Sequence, residues 1–102
     1  MYHIWNILGV VDDKETGALE EMIVEHVQDN VRKSLVRQYV YMRKLKGLTQ
    51  ADVARKAGIS RTNVTRFESG EYNPTIDMLV KIAYAIGVDV FITLKDEGDV
   101  EK

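Results

Sequence analysis

The sequence predicts an all-α chain of four to five helices with an N-terminal extension and one short C-terminal β-strand, and three observations carry that prediction. Residues 49–69, TQADVARKAGISRTNVTRFES, hold two short helical patterns on either side of Gly58, each opened by a capping hydroxyl. Upstream, apolar residues recur at helical spacing from Leu19 to Leu45. Downstream, VDVFITL at 88–94 alternates with period two and is rich in β-branched and aromatic residues.

Taken in order, residues 1–11 bring together Tyr2, Ile4, Trp5, Ile7, Leu8, Val10 and Val11 with poor alternation, so a short strand and a frayed arm both fit. DDKETG at 12–17 is a polar break. Leu19, Ile23, Val27, Val31 and Leu35 then repeat every four residues, and Tyr39, Met42 and Leu45 continue the stripe after a small drift, which places helix from about 18 to 46. Asp29 and Asn30 are cap-type residues in its middle and favour a break into two helices over one rod. Glu20, Glu21 and Glu25 fall early and Arg43, Lys44 and Lys46 late, as the helix dipole prefers, and Gly47 ends the run.

Thr49 is the N-cap of the next helix, with Asp52 at N3 to return a bond to it, and Ser60 caps the one after. Gly58 takes the left-handed conformation between them and Ile59 follows as an apolar plug. Ala54 is small where the two helices cross, Val64 points back onto it, and Phe67 faces the core. Pro74 lies in a turn before Thr75, the cap of a last helix of about 75–86 with Ile76, Leu79, Val80, Ala83 and Ile86 on one face and Gly87 closing it. In the strand, Val88, Val90, Ile92 and Leu94 point one way and Phe91 and Thr93 the other. Its backbone needs a partner, either residues 2–8 of the same chain or the same strand of a second copy. DEGDVEK follows as a charged tail.

A chain of 102 residues supports one small core, which divides the molecule into an N-terminal arm and acidic helical extension (1–30), a helical domain (31–87), and a strand with its tail (88–102). Apolar residues at 45% and charged residues at 29% describe an ordinary soluble protein. The absence of cysteine excludes disulfides and thiolate metal sites, and His3 and His26 are too far apart in sequence to suggest a metal pair. YHIWNILGVV has no basic flank and runs at once into Asp12 and Asp13, so it is neither signal peptide nor membrane span, and a cytoplasmic location follows as the expectation. The net charge of −2 conceals a strong asymmetry. Residues 1–30 carry seven acids and one lysine, residues 67–102 eight acids and three lysines, and residues 31–66 ten bases against Asp52 alone. A basic block over the two short helices is the electrostatic footprint that a phosphate backbone requires.

Ala54, Gly58 four residues on, Val64 six after that and the run FESGEYNPT resemble the Cro/CI-type (Xre) helix-turn-helix DNA-binding family. The resemblance covers about residues 35–94, with LTQADVARKAGIS, the Glu-Ser-Gly turn and the Asn-Pro-Thr opening all in the family's order. It implies a lambda-repressor-like helix-turn-helix domain acting as a sequence-specific DNA-binding transcriptional regulator, a repressor that binds a palindromic operator in double-stranded DNA as a homodimer, without cofactor or metal. The second helix of the motif presents Arg61, Thr62 and Asn63 in its first turn and Thr65 and Arg66 in the next. Arg holds guanine O6 and N7, Asn holds adenine N6 and N7, and a Thr methyl rests on a thymine methyl. The resemblance makes positions 61, 62 and 66 base readers and shares 63 and 65 between bases and phosphates. Gln50 stands at a helix N-terminus with an amide and backbone N–H groups suited to a phosphate, and the matching glutamine of the family steadies the recognition helix. Thr49, Lys46, Arg55, Lys56, Tyr72 and Asn73 are further phosphate candidates, Asn73 the best placed of them. The resemblance pairs Arg43 with Glu68 in a partly buried ion pair of architectural role.

Three other readings are weighed against this one. HigA-type antitoxins resemble the chain in length and in a GVDVFITL-like strand after the Xre domain, and would use acidic residues 1–30, with Trp5, to meet a toxin. A protein-binding module without DNA has no reason to keep the basic block. An enzyme is not expected: there is no cysteine, Gly-rich phosphate loop, histidine–carboxylate pattern or metal spacing.

Overall fold

The structure, a computed structural model, describes residues 16–96, and four helices run through them: α1 (Thr16–Leu45), α2 (Gln50–Ala57), α3 (Arg61–Ser69) and α4 (Ile76–Ile86). The strand or arm expected at 1–11, and with it Trp5, lies outside the described residues, as does most of the charged tail. By their internal contacts residues 32–91 form one unit, and the described residues 16–31 and 92–96 fall outside it.

The break expected at Asp29–Asn30 does not occur, since α1 is continuous through it. Asn30 spends its side chain inside the helix: the amide donates to the His26 carbonyl at 2.9 Å, one turn back, and lies 3.0 Å from His26 Nε2. A cap-type side chain satisfied in this way gives the helix no reason to end. The apolar stripe read along α1 also needs correction. A repeat of four in a helix of 3.6 residues per turn rotates by roughly 40° at each step, so Val31 and Leu45 come out exposed while Val36, Tyr39 and Arg43 are the residues buried.

In the unit of residues 32–91 the core is closed by side chains from all four helices, with Val53, Val64, Phe67 and Ile82 wholly inside it. Tyr39 meets Phe67 edge to face, centroids 5.0 Å apart, and its hydroxyl donates to the Leu79 carbonyl at 2.9 Å. Burial disfavours the phenolate and pushes the Tyr39 pKa up. Ala54 is buried at the crossing of α2 and α3. The buried side of α4 is Leu79, Ile82, Ala83, Ala85 and Ile86, whereas Ile76 and Val80, read as part of its core face, are 60% and 53% exposed. Asp77 and Lys81, one turn apart, mark the open arc of the helix, and Val80, three residues on from Asp77, lies on that side despite being apolar.

The C-terminal β-strand is absent: residues 88–96 form no strand, and the described chain is helical. Alternation marks two faces, but a strand exists only through a ladder. The Val88 N–H is instead used to close α4, donating to the Ala83 carbonyl at 3.0 Å. Val88–Phe91 run beside Leu35, Gln38, Tyr39 and Met42 of α1 along an open cleft of about 310 Å³. Phe91 and Leu94 are 85% and 98% exposed.

The short helices are set by their ends. At α2, Thr49 Oγ accepts from the Asp52 N–H at 3.0 Å and the Asp52 carboxylate accepts from the Thr49 N–H at 2.9 Å, a reciprocal capping box. Gly58 ends α2 at φ +70, where a Cβ would be strained, and the Ile59 N–H returns to the Ala54 carbonyl at 3.0 Å. The Thr49 N–H, with the Thr49 hydroxyl second, holds the Asp52 carboxyl below its usual range. Folding therefore favours the ionised form, and the stabilisation is complete above the unfolded value of 3.8 and lost as pH falls through the lower folded value. Asp52→Asn is expected to melt below the wild type at neutral pH, with the two melting temperatures converging as the pH is taken below that range. A gap independent of pH would show that the cap charge contributes nothing.

Candidate nucleic-acid interface

Helix α3 is anchored from one side and open on the other. Ser60 Oγ accepts from the Asn63 N–H at 3.1 Å and starts the helix, while Val64 and Phe67, 0% and 1% exposed, pin its inner face. The remaining positions of the same nine residues put Arg61, Thr62, Thr65 and Arg66 in solvent and leave Asn63 half-exposed. The candidate base-reading residues thus share one short helix whose first turn carries hydrogen-bond donors and acceptors outward.

Its orientation is held by a polar strut. Arg43, in α1, reaches α3 with its fork: Nε donates to Glu68 Oε2 at 2.6 Å, Nη2 to Oε1 at 2.9 Å, and Nη1 to the Leu48 carbonyl at 2.8 Å. Both side chains are about nine-tenths buried. Gln50 at the start of α2 completes the strut, donating from Nε2 to Glu68 Oε1 at 3.0 Å and accepting from the Thr65 hydroxyl at 2.8 Å. The Thr65 hydroxyl has one hydrogen and two acceptors in reach, Gln50 Oε1 and the Arg61 carbonyl at 3.1 Å, so its hydrogen stays within the protein and its methyl and oxygen lone pairs are what it has left to offer. Gln50 spends one amide N–H on Glu68 and its oxygen on Thr65, so its second amide N–H and the N-terminal backbone N–H groups of α2 are the donors left at this end of the helix. Among the described residues no buried side-chain polar atom lacks a partner.

The other phosphate candidates divide. Thr49 gives its hydroxyl to the capping box, Arg55 lies 3.3 Å from Asp52 and remains largely exposed, and Lys56 is exposed on α2. Lys46 donates to the Gly87 carbonyl at 2.8 Å and so caps α4. Tyr72 and Asn73 sit in the segment after α3. The Arg66 guanidinium lies over the Tyr72 ring at 5.3 Å, and Asn73 Oδ1 accepts from Arg32 Nη1 at 2.7 Å. Arg32 is the residue that sequence reasoning missed. It precedes the stretch of motif resemblance, and only its membership of the basic block 31–66 gave any signal.

The surface is one of donors: guanidinium groups on α3, amides at its flank, and helix N–H groups at α2. It suits a polyanion with readable edges. Among the described residues there is no group of three or more metal-ligating side chains, and no helix is long and apolar enough to cross a membrane.

A family model described as helix-turn-helix matches residues 41–91, half of the chain. An HTH-type transcriptional regulator of Methanocaldococcus jannaschii is 43% identical over 60 residues, 56% of this chain and 91% of that protein. One from Sinorhizobium fredii is 36% identical over 59 residues, 58% of this chain and 77% of the relative. The cryptic phage CTXphi transcriptional repressor of Vibrio cholerae is 46% identical over 48 residues, 47% of this chain but 43% of its own length. No solved structure matches the chain.

Proposed function

Because the chain belongs to the Cro/CI-type helix-turn-helix family, we propose that it is a sequence-specific DNA-binding transcriptional regulator, a repressor that occupies a palindromic operator through α3. The observation that carries the reading is the arrangement of that helix: pinned by Val64 and Phe67, tied through Glu68 to Arg43 and Gln50, with Arg61, Thr62 and Arg66 outward. Rigid support with exposed donors is what major-groove readout needs. The relatives, named as regulators and a repressor, support the same reading. The toxin-binding alternative draws no support from those names.

A single unit presents one recognition helix and covers half a site. The proposal therefore includes a homodimer, whose two-fold axis sets two copies of α3 about one helical turn apart on the duplex. Arg61 and Arg66 hold guanines, Thr62 and the Thr65 methyl face thymine methyls, and Asn63, Asn73 and the N-terminus of α2 follow the backbone. The chemistry is occupancy, and no reaction is assigned to the chain.

Selection of binding sites from a random duplex library tests this. The expected result is a two-fold symmetric consensus with half-sites roughly 10 base pairs apart, bound with an affinity that falls linearly with salt on a double-logarithmic plot. Retention of all sequences alike, with no enriched consensus, would refute specific readout.

A further inference from the structure

Arg32 lies in α1, outside the matched residues 41–91, and makes two bonds to the segment that follows the recognition helix. Its Nε donates to the Gly70 carbonyl at 3.2 Å and its Nη1 donates to Asn73 Oδ1 at 2.7 Å. Gly70 ends α3 at φ +73, and a Cβ there would meet Lys33 Cγ at 3.4 Å, so the turn is fitted closely against α1.

The second bond decides which way the Asn73 amide faces. A guanidinium donates only, so the atom beside it must be the carbonyl oxygen of the amide, and the NH₂ group is turned the other way. Asn73 is exposed, which leaves that NH₂ to meet solvent or a ligand. A flipped amide would offer its oxygen instead, and two acceptors, amide oxygen and phosphate oxygen, repel. The first bond ties the same guanidinium to the C-terminal end of α3, so that the orientation of Asn73 is referred to the helix that reads bases. Arg66, stacked over Tyr72, borders the same segment.

We propose that Arg32 is a positioning residue for DNA backbone recognition: it locks the Asn73 amide with Nδ2 outward, ready to donate to a phosphate oxygen beside the site read by α3. This rests on the DNA-binding reading above. Arg32 acts through Asn73 and touches no nucleotide itself.

The test is a double-variant comparison on the selected duplex at one salt concentration, using wild type, Arg32→Lys, Asn73→Ala, Asn73→Asp and Arg32→Lys/Asn73→Ala. Arg32→Lys and Asn73→Ala should each weaken binding by about three- to tenfold, the worth of one hydrogen bond. Lysine keeps the charge but lacks the fork that spans both acceptors. The double variant should bind no worse than Asn73→Ala, because the two residues act as one. Asn73→Asp keeps an acceptor for Arg32 and the wild-type melting temperature, yet should bind more weakly than Asn73→Ala, since it faces the phosphate with an oxygen. Losses that add, an Arg32→Lys variant that binds as wild type, or an Asn73→Ala variant without effect would each overturn the proposal. If the wild type itself shows no preference for its selected duplex, the DNA reading fails first, visibly, and the positioning role falls with it.

Discussion

Glu68→Ala is expected to cost about 3–5 kcal/mol of stability, the usual penalty for removing one partner of a buried ion pair. In a domain of this size that is a fall of more than about 12 °C in melting temperature. The size follows from what the carboxylate does. It accepts from two nitrogens of Arg43 and from Gln50, and both charged side chains are about 90% shielded from water. Without it the Arg43 guanidinium keeps only the Leu48 carbonyl, and Gln50 gives up its bond to Glu68 while retaining Thr65. The cost lies in the stranded charge more than in the missing attraction, so replacing both partners, Arg43→Met with Glu68→Leu, should recover much of the stability. DNA affinity of Glu68→Ala, measured well below its melting temperature, should fall only through the looser seating of α3. A variant with the wild-type melting temperature and no binding would instead make Glu68 a ligand contact.

The parts of this fold that were legible in the sequence are those specified locally. Thr49 with Asp52, Ser60, Thr75, Gly58 and Gly87 name their own positions, because a cap or a left-handed turn needs a particular side chain within a few residues of the helix it bounds. What was not legible depends on distant partners. Alternation in VDVFITL resembles a strand whether or not anything lies opposite it, and here Val88 closes α4 instead. Asn30 reads as a cap by type, but its amide turns back to His26. In α4 Ile76 and Val80 are apolar by type but lie toward the arc that Asp77 and Lys81 hold open, so residue type suggested burial where helical position gives exposure. At the candidate site the motif indicated α3, while Arg32 stands 41 residues from Asn73 in sequence, and nothing local to either residue announces the bond between them.

Replacing Arg61 and Arg66 together by alanine is expected to abolish preference for the selected duplex while leaving the protein folded. Each bidentate arginine–guanine pair is worth about 1–3 kcal/mol of discrimination. Two such pairs give roughly 2–6 kcal/mol if they add, from about thirtyfold to beyond ten-thousandfold in relative affinity. Stability should barely change. Both side chains are exposed, and the packing removed is that of Arg66 over Tyr72, a stacked cation worth about 0.5–1 kcal/mol at a site of this kind. The two affinities separate the roles that an exposed arginine on this helix can play. If the residues read bases, specific binding collapses toward the non-specific level, and non-specific binding with its salt dependence is nearly retained. If they only neutralise phosphates, specific and non-specific binding weaken together and the salt slope drops by about 0.9 for each phosphate left without its arginine. The second outcome would shift sequence readout to Thr62 and Asn63, the other outward groups of the first turn, and would make α3 a helix held by its arginines to the backbone and aimed by them at the groove.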